Sequence, residues 1–149
     1  ALISIALQDL DQARLSYQNQ AFKACVIMLG AVLEGIMLGT ITRKEVLDKL
    51  IDDIERPKAF QKLGLRSPNL TEKIADDLGF EDYKNIVHYL IPELEKLKIE
   101  GIQHFRNAIH PWKAVQQPNV YKEFNSERAM VHVASLKILL DYILSWSSE

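Results

Sequence analysis

The sequence predicts an all-α fold, an up-and-down bundle of four to five helices with no sheet. Three observations carry this. Apolar residues recur at helical spacing in the long segments, no segment of useful length alternates apolar with polar residues, and the breaks fall on proline, glycine or polar capping residues. No internal repeat or composition shift divides the chain, so residues 1–149 read as one domain.

From Ile3 to about Tyr17, the residues Ile3, Ala6, Leu7, Leu10, Ala13 and Tyr17 repeat at helical spacing among Gln, Asp and Arg. Gln18, Asn19 and Gln20 form a polar pause. The apolar run Ala24–Ile41 follows and is expected to continue as helix through Lys49 to Ile54, with Glu45 and Lys49 paired four residues apart. Pro57 ends that run or opens the next, and Gly64 to Pro68 turns the chain. Ser67 or Asn69 is placed to cap a short helix through Leu78, which Gly79 terminates.

The helical pattern resumes at Glu81 and runs to Pro92, which breaks or kinks it. Pro92 also fits the first turn of another helix, with Glu93 and Glu95 at the positive end of its dipole. Leu94, Leu97, Gly101, Phe105 and Ala108 form that helix's core stripe, and Pro111 stops it. Residues 111–124 connect to a last helix from about Glu127 to Trp146, capped by Asn125 or Ser126. This last helix is apolar almost all round, more than the single stripe of a surface helix, which places it at the centre or at an oligomer interface.

The composition narrows the function classes. At 48% hydrophobic and 26% charged, with six Gly and five Pro, the chain is neither collagenous nor disordered. Its single cysteine, Cys25, leaves no intramolecular disulfide and no cysteine-based zinc site, so a reducing, cytoplasmic location is expected. A net charge of −2 argues against a broad nucleic-acid-binding face but leaves room for a small local RNA site. The run Ala24–Ile41 is short of the roughly 20 residues of a bilayer span. Glu34 within it would cost roughly 2.5–3.5 kcal/mol on insertion. It reads as the covered central helix of a bundle, with no membrane partner.

The densest local signal is Phe105-Arg106-Asn107-Ala108-Ile109-His110-Pro111. Residues four apart on a helix share a side, so Arg106 and His110 project together. A guanidinium holds phosphate oxygens bidentately and stays charged, and an imidazole moves a proton near neutrality. Asn107 adds a neutral donor and acceptor. Together these groups suit phosphodiester cleavage without a metal. The plainer alternative is that Arg106 pairs with a buried acid and His110 caps the C-terminus of its helix, where a cation is favoured by about 0.3–1 kcal/mol.

Three stretches give the chain a wider context. They are Ala13-Arg14-x-x-Tyr17 leading to Ala21-Phe22-Lys23-Ala24, the apolar helix Val26 to Gly35 with its Leu29-Gly30 and Leu33-Glu34-Gly35, and Arg106-Asn107 to His110-Pro111. In this order they resemble the HEPN superfamily (higher eukaryotes and prokaryotes nucleotide-binding), all-α bundles of toxin–antitoxin and RNA-processing systems. The resemblance implies a homodimer that brings two Arg/His motifs together in a cleft, and metal-independent RNA cleavage in active members. It gives His110 the role of general acid/base or orienting group, Arg106 the phosphate and Asn107 a supporting place. Toxin members imply a cognate antitoxin protein as partner, and no cofactor. One departure stands out: only Asn107, Ala108 and Ile109 separate Arg106 from His110, fewer than the family pattern. Non-catalytic members serve as dimerisation or as partner- or nucleotide-binding modules, and that alternative stays open.

Glu34 is the second residue singled out. A carboxylate in an apolar helix must pair, protonate or reach solvent at the bundle rim, so Glu34 is expected to meet Arg106 or a nearby donor. Lys113 and Arg128 are candidate RNA contacts. The four histidines, His88, His104, His110 and His132, lack metal-site spacing, and no metal is expected; His132 packs or faces solvent. Cys25 reads as an inert buried thiol. The basic residues between Arg43 and Arg66 alternate with acids, as on a solvated mixed face.

Overall fold

The computed structural model describes residues 2–53, 55–61, 63, 68–96 and 125–147. The fold is all-α, and no strand occurs among the described residues. Helices α1 (Leu2–Gln18), α2 (Phe22–Ile41), α3 (Lys44–Asp52), α4 (Lys58–Gln61), α5 (Leu70–Asp77) and α6 (Phe80–Leu90) follow one another. A 3₁₀ turn covers Pro92–Lys96, and α7 spans Ser126–Ser147. Among the described residues four longer helices, α1, α2, α6 and α7, build the bundle, within the expected four to five, and α3, α4 and α5 are shorter.

Helix α2 is the hub: α1, α6 and α7 all pack on it. Its apolar residues occupy nearly every side, and Cys25, Leu29, Leu33, Met37 and Ile41 have no exposed surface. It is long and apolar enough to cross a membrane, with mean hydropathy 2.1. Most of that length is instead covered by the neighbouring helices, as a central bundle helix requires.

Helices α1 and α2 form a hairpin. Its corner is a Schellman turn: the Ala21 N–H donates to the Ser16 carbonyl (2.8 Å) and the Gln20 N–H to the Tyr17 carbonyl (3.0 Å). Gln20 takes the left-handed conformation this turn demands, with φ 59°. Tyr17 and Phe22 brace the two sides edge-to-face at 5.6 Å between ring centres. On α1, Ala6 and Ala13 lie two turns apart on the buried face, and their small side chains allow a close approach to α2.

Two expectations about helix ends need correction. The helix entered at α2 does not continue to Ile54: it ends at Ile41, and α3 starts at Lys44. Thr40 and Thr42 turn their hydroxyls back onto the carbonyls of Ile36 and Leu38, both at 2.8 Å. Arg43 then takes an extended conformation with ψ 138°. Hydroxyls bonding one turn back compete with the helical pattern, and the chain leaves it there. Gly79 does not close α5, whose last cap is Leu78. Its φ of −109° is not left-handed, and it opens α6 as N-cap, with its N–H donating to the Asp82 carboxylate at 3.0 Å.

The helix expected to open at Pro92 is a 3₁₀ turn over its described residues, Pro92–Lys96. On α6, Phe80, Tyr83, Ile86, Val87 and Leu90 make one buried stripe. Tyr83 also donates its hydroxyl to the Ile74 carbonyl (3.2 Å), fastening the end of α5 to α6. Leu94, in the 3₁₀ turn after Ile91, is fully buried. The expected cap of the last helix is present: Asn125 Oδ1 accepts the Arg128 N–H at 2.9 Å. Helix α7 is not central, however. Ala129, His132, Leu136 and Leu139 face inward, while Met130, Val131, Val133 and Ile138 are exposed. The stretch Leu97 to Pro111 and the connection to residue 124 lie outside the described residues.

Candidate functional site

Arg106, Asn107, His110 and Lys113 lie outside the described residues, and Glu34 and Arg128 lie within them. Glu34 sits midway along α2, half-buried, and near enough to α6 for its charge to act on Tyr83. Its negative charge acts on Tyr83, whose phenol is raised first by burial and then by Glu34. Glu34 is therefore at a helix–helix boundary, where a carboxylate influences buried groups across the interface.

Arg128 is half-buried in the first turn of α7, one turn before His132. His132 is buried, and its pKa is pushed down to about 4 by desolvation, with the Arg128 charge adding in the same direction. It is a packed, neutral core residue at physiological pH. Cys25 fits its expected role: buried beneath α1, with burial raising the thiol away from the reactive thiolate.

Between α1 and α7, above α2, lies a groove of about 370 Å³. Leu10, Ala13 and Tyr17 of α1 form one wall, Cys25 and Leu29 of α2 the floor, and Met130 and Val133 of α7 the other wall. The lining is almost wholly apolar. Its polar edge is the exposed pair Arg14 and Asp11, 3.8 Å apart. No local sequence motif marked this groove, because three segments distant along the chain build it. The one available signal was the excess of apolar residues on the last helix.

A second cluster missed by sequence reasoning ties α3 to α6. The Tyr89 hydroxyl donates to Asp53, whose other oxygen accepts the Glu55 N–H at 2.9 Å. The bond raises the Tyr89 phenol to about 12 and holds Asp53 below its ordinary range. Arg56 Nη1 reaches the carbonyls of Ile51 and Asp53, each at 3.0 Å, closing the C-terminus of α3. These bonds all run between protein groups and make the cluster a clasp, with Arg56 Nε alone among them buried without a hydrogen-bond partner among the described residues. Nearby, Arg43 pairs with Glu45, and this region is a mixed-charge face. Among the described residues no group of three or more His, Cys, Asp or Glu side chains is placed to hold a metal.

No family model matches the chain. No solved structure matches it either. The chain is similar to a protein of Herpetosiphon aurantiacus named "Putative type II restriction enzyme HgiDII", with 35% identity over 150 residues. That alignment covers 97% of this chain and 24% of the relative, so the chain spans about a quarter of the length of the protein it matches.

Proposed function

We propose that this chain is a helical domain that takes part in nucleic-acid cleavage, with Arg106 and His110 as its reacting pair. The observation that supports nucleic-acid cleavage is the similarity along 97% of the chain, and 24% of the relative, to a protein named "Putative type II restriction enzyme HgiDII", a class that cuts duplex DNA. The RNA chemistry below rests on the Arg106–His110 pattern and the HEPN resemblance. The Arg106-Asn107-Ala108-Ile109-His110 spacing supplies chemistry suited to that task. On RNA, His110 takes the proton of a ribose 2′-hydroxyl as the oxygen attacks the adjacent phosphorus. Arg106 holds the charge that gathers on the phosphate oxygens. The 5′-oxygen leaves with a proton from water, and a 2′,3′-cyclic phosphate remains. Asn107 orients the phosphate, and Glu34, at the α2–α6 boundary, holds Arg106 in place. Lys113 and Arg128 add local positive charge in a chain of net charge −2. In the HEPN reading the domain works as a dimer in a toxin or defence system, restrained by a partner protein, and the buried free Cys25 suits a cytoplasmic setting.

A second reading, a non-catalytic association domain of such an enzyme, is favoured by one observation: the apolar groove and the exposed apolar residues on α1 and α7.

The readings separate in one assay. Purified chain is incubated with mixed RNA and with duplex DNA, in EDTA or Mg²⁺, beside Arg106→Ala and His110→Ala. Cleavage of RNA in EDTA that both substitutions reduce by more than about 100-fold is the expected result. Cleavage untouched by either substitution puts the centre elsewhere. No cleavage by well-folded protein leaves the association domain.

A further inference from the structure

The Ala13-Arg14-x-x-Tyr17 stretch has no task in the cleavage proposed above, yet all three named residues line the groove between α1 and α7. Ala13, Cys25 and Leu29 are almost wholly buried at its bottom. The short side chains of Ala13 and Cys25 leave space there that the packed helices do not fill. Leu10 and Tyr17 on one side, and Met130 and Val133 on the other, form walls that keep some exposed surface.

Size limits what this space accepts. A helix is about 10–12 Å across, and a groove of about 370 Å³ holds no such body. The volume falls near the lower end of the roughly 300–1,000 Å³ of small-molecule sites. An aliphatic chain suits the apolar lining, because it gives up no hydrogen bond on leaving water.

Charge selects the other end of the ligand. Arg14 and Asp11 stand at the groove edge 3.8 Å apart, with 65% and 73% of their side chains exposed. A pair so long and so exposed is held weakly. The Arg14 guanidinium has five donors in a planar fork that matches a carboxylate, and it can serve two acids at once. Asp11, the more exposed of the two, stays solvated when Arg14 turns to a ligand. A cationic head would meet Arg14 at close range and be repelled.

We propose that the groove is a binding site for an aliphatic monocarboxylate, a free medium-chain fatty acid, with its chain between α1 and α7 and its carboxylate on Arg14. The site requires neither cleavage chemistry nor a second copy of the chain.

Isothermal titration calorimetry of the full chain with hexanoate, heptanoate and octanoate tests it. Each added methylene is expected to tighten binding about fourfold, the factor that burying one CH₂ sets. Octanoate is expected to bind more tightly than octan-1-ol or octylammonium. Arg14→Gln is expected to weaken octanoate at least tenfold and to leave octan-1-ol unchanged. Val133→Glu puts a charge in the wall and is expected to abolish binding of both. The Arg14 side chain is exposed, so Arg14→Gln decides the matter even if Val133→Glu fails to fold. Absence of octanoate binding overturns the proposal, as does affinity indifferent to chain length. So does octylammonium binding as tightly as octanoate, or an Arg14→Gln variant that binds octanoate like the wild type. Association with vesicles containing oleic acid, without uptake of free octanoate, also overturns it and makes the groove a membrane contact.

Discussion

At His132, burial outweighs the usual tendency of an imidazole to titrate near neutrality. Its pKa in the folded chain is about 4 against an ordinary 6.5. The unfolded chain therefore binds the proton first as pH falls. The stability from keeping this ring neutral is fully present above pH 6.5, and it is lost as pH falls toward 4. Each pH unit in that window is worth about 1.4 kcal/mol, so the drop from pH 6.5 to 5 is about 2 kcal/mol. Urea midpoints measured between pH 7.5 and 5 are expected to fall accordingly. In His132→Leu, of similar bulk, that slope flattens; an unchanged slope assigns the pH dependence to other groups. The sequence showed a histidine amid apolar neighbours, and its burial matches the packed alternative. The predicted helix from about Glu127 already sets Arg128 one turn before His132; what only the fold shows is the burial that lowers the imidazole, with the Arg128 charge adding to it.

Among the elements, helix ends set by a proline or a polar cap were legible to within the alternatives the residues offer. Pro92, expected to break or kink the helix, ends α6, and of the two candidate caps, Asn125 and Ser126, it is Asn125 that caps α7. Legibility failed where one residue serves two neighbours. A glycine between two helices can finish the first or begin the second, and the backbone angle decides; at Gly79 the extended backbone chose the second. The break after Ile41 was hidden because apolar spacing continues through Val46 and Leu50, while the hydroxyls of Thr40 and Thr42 carry no periodic signal. Two substitutions test this account by calorimetry. Gln20 sits at φ 59°, where a side chain is strained, so Gln20→Gly should stabilise the α1–α2 corner by about 0.5–1 kcal/mol. A Cβ at Gly79 meets no atom within 4 Å, so Gly79→Ser adds a capping hydroxyl without a clash. It should raise stability by a few tenths of a kcal/mol, to at most about 1. Destabilisation in either case would contradict the assigned corner or cap.

For the whole molecule, helix content and the central place of α2 were legible because periodicity and apolar runs are local properties of the chain. The groove was not, because its walls are residues 10–17, 25–29 and 130–133, brought together only by the fold. The proposed reacting pair has the reverse character, dense in five consecutive residues and independent of any distant partner. Glu34 links the two scales, since its place on α2 at the α6 boundary is fixed by the bundle. The most direct test of the central claim is the chemistry of the cut ends. With RNA in EDTA, attack by the 2′-hydroxyl leaves 2′,3′-cyclic phosphate on one fragment and a 5′-hydroxyl on the other, which mass spectrometry distinguishes. Those ends, lost in Arg106→Ala, are the result this account predicts; 5′-phosphate ends, or intact RNA in the presence of folded protein, would contradict it.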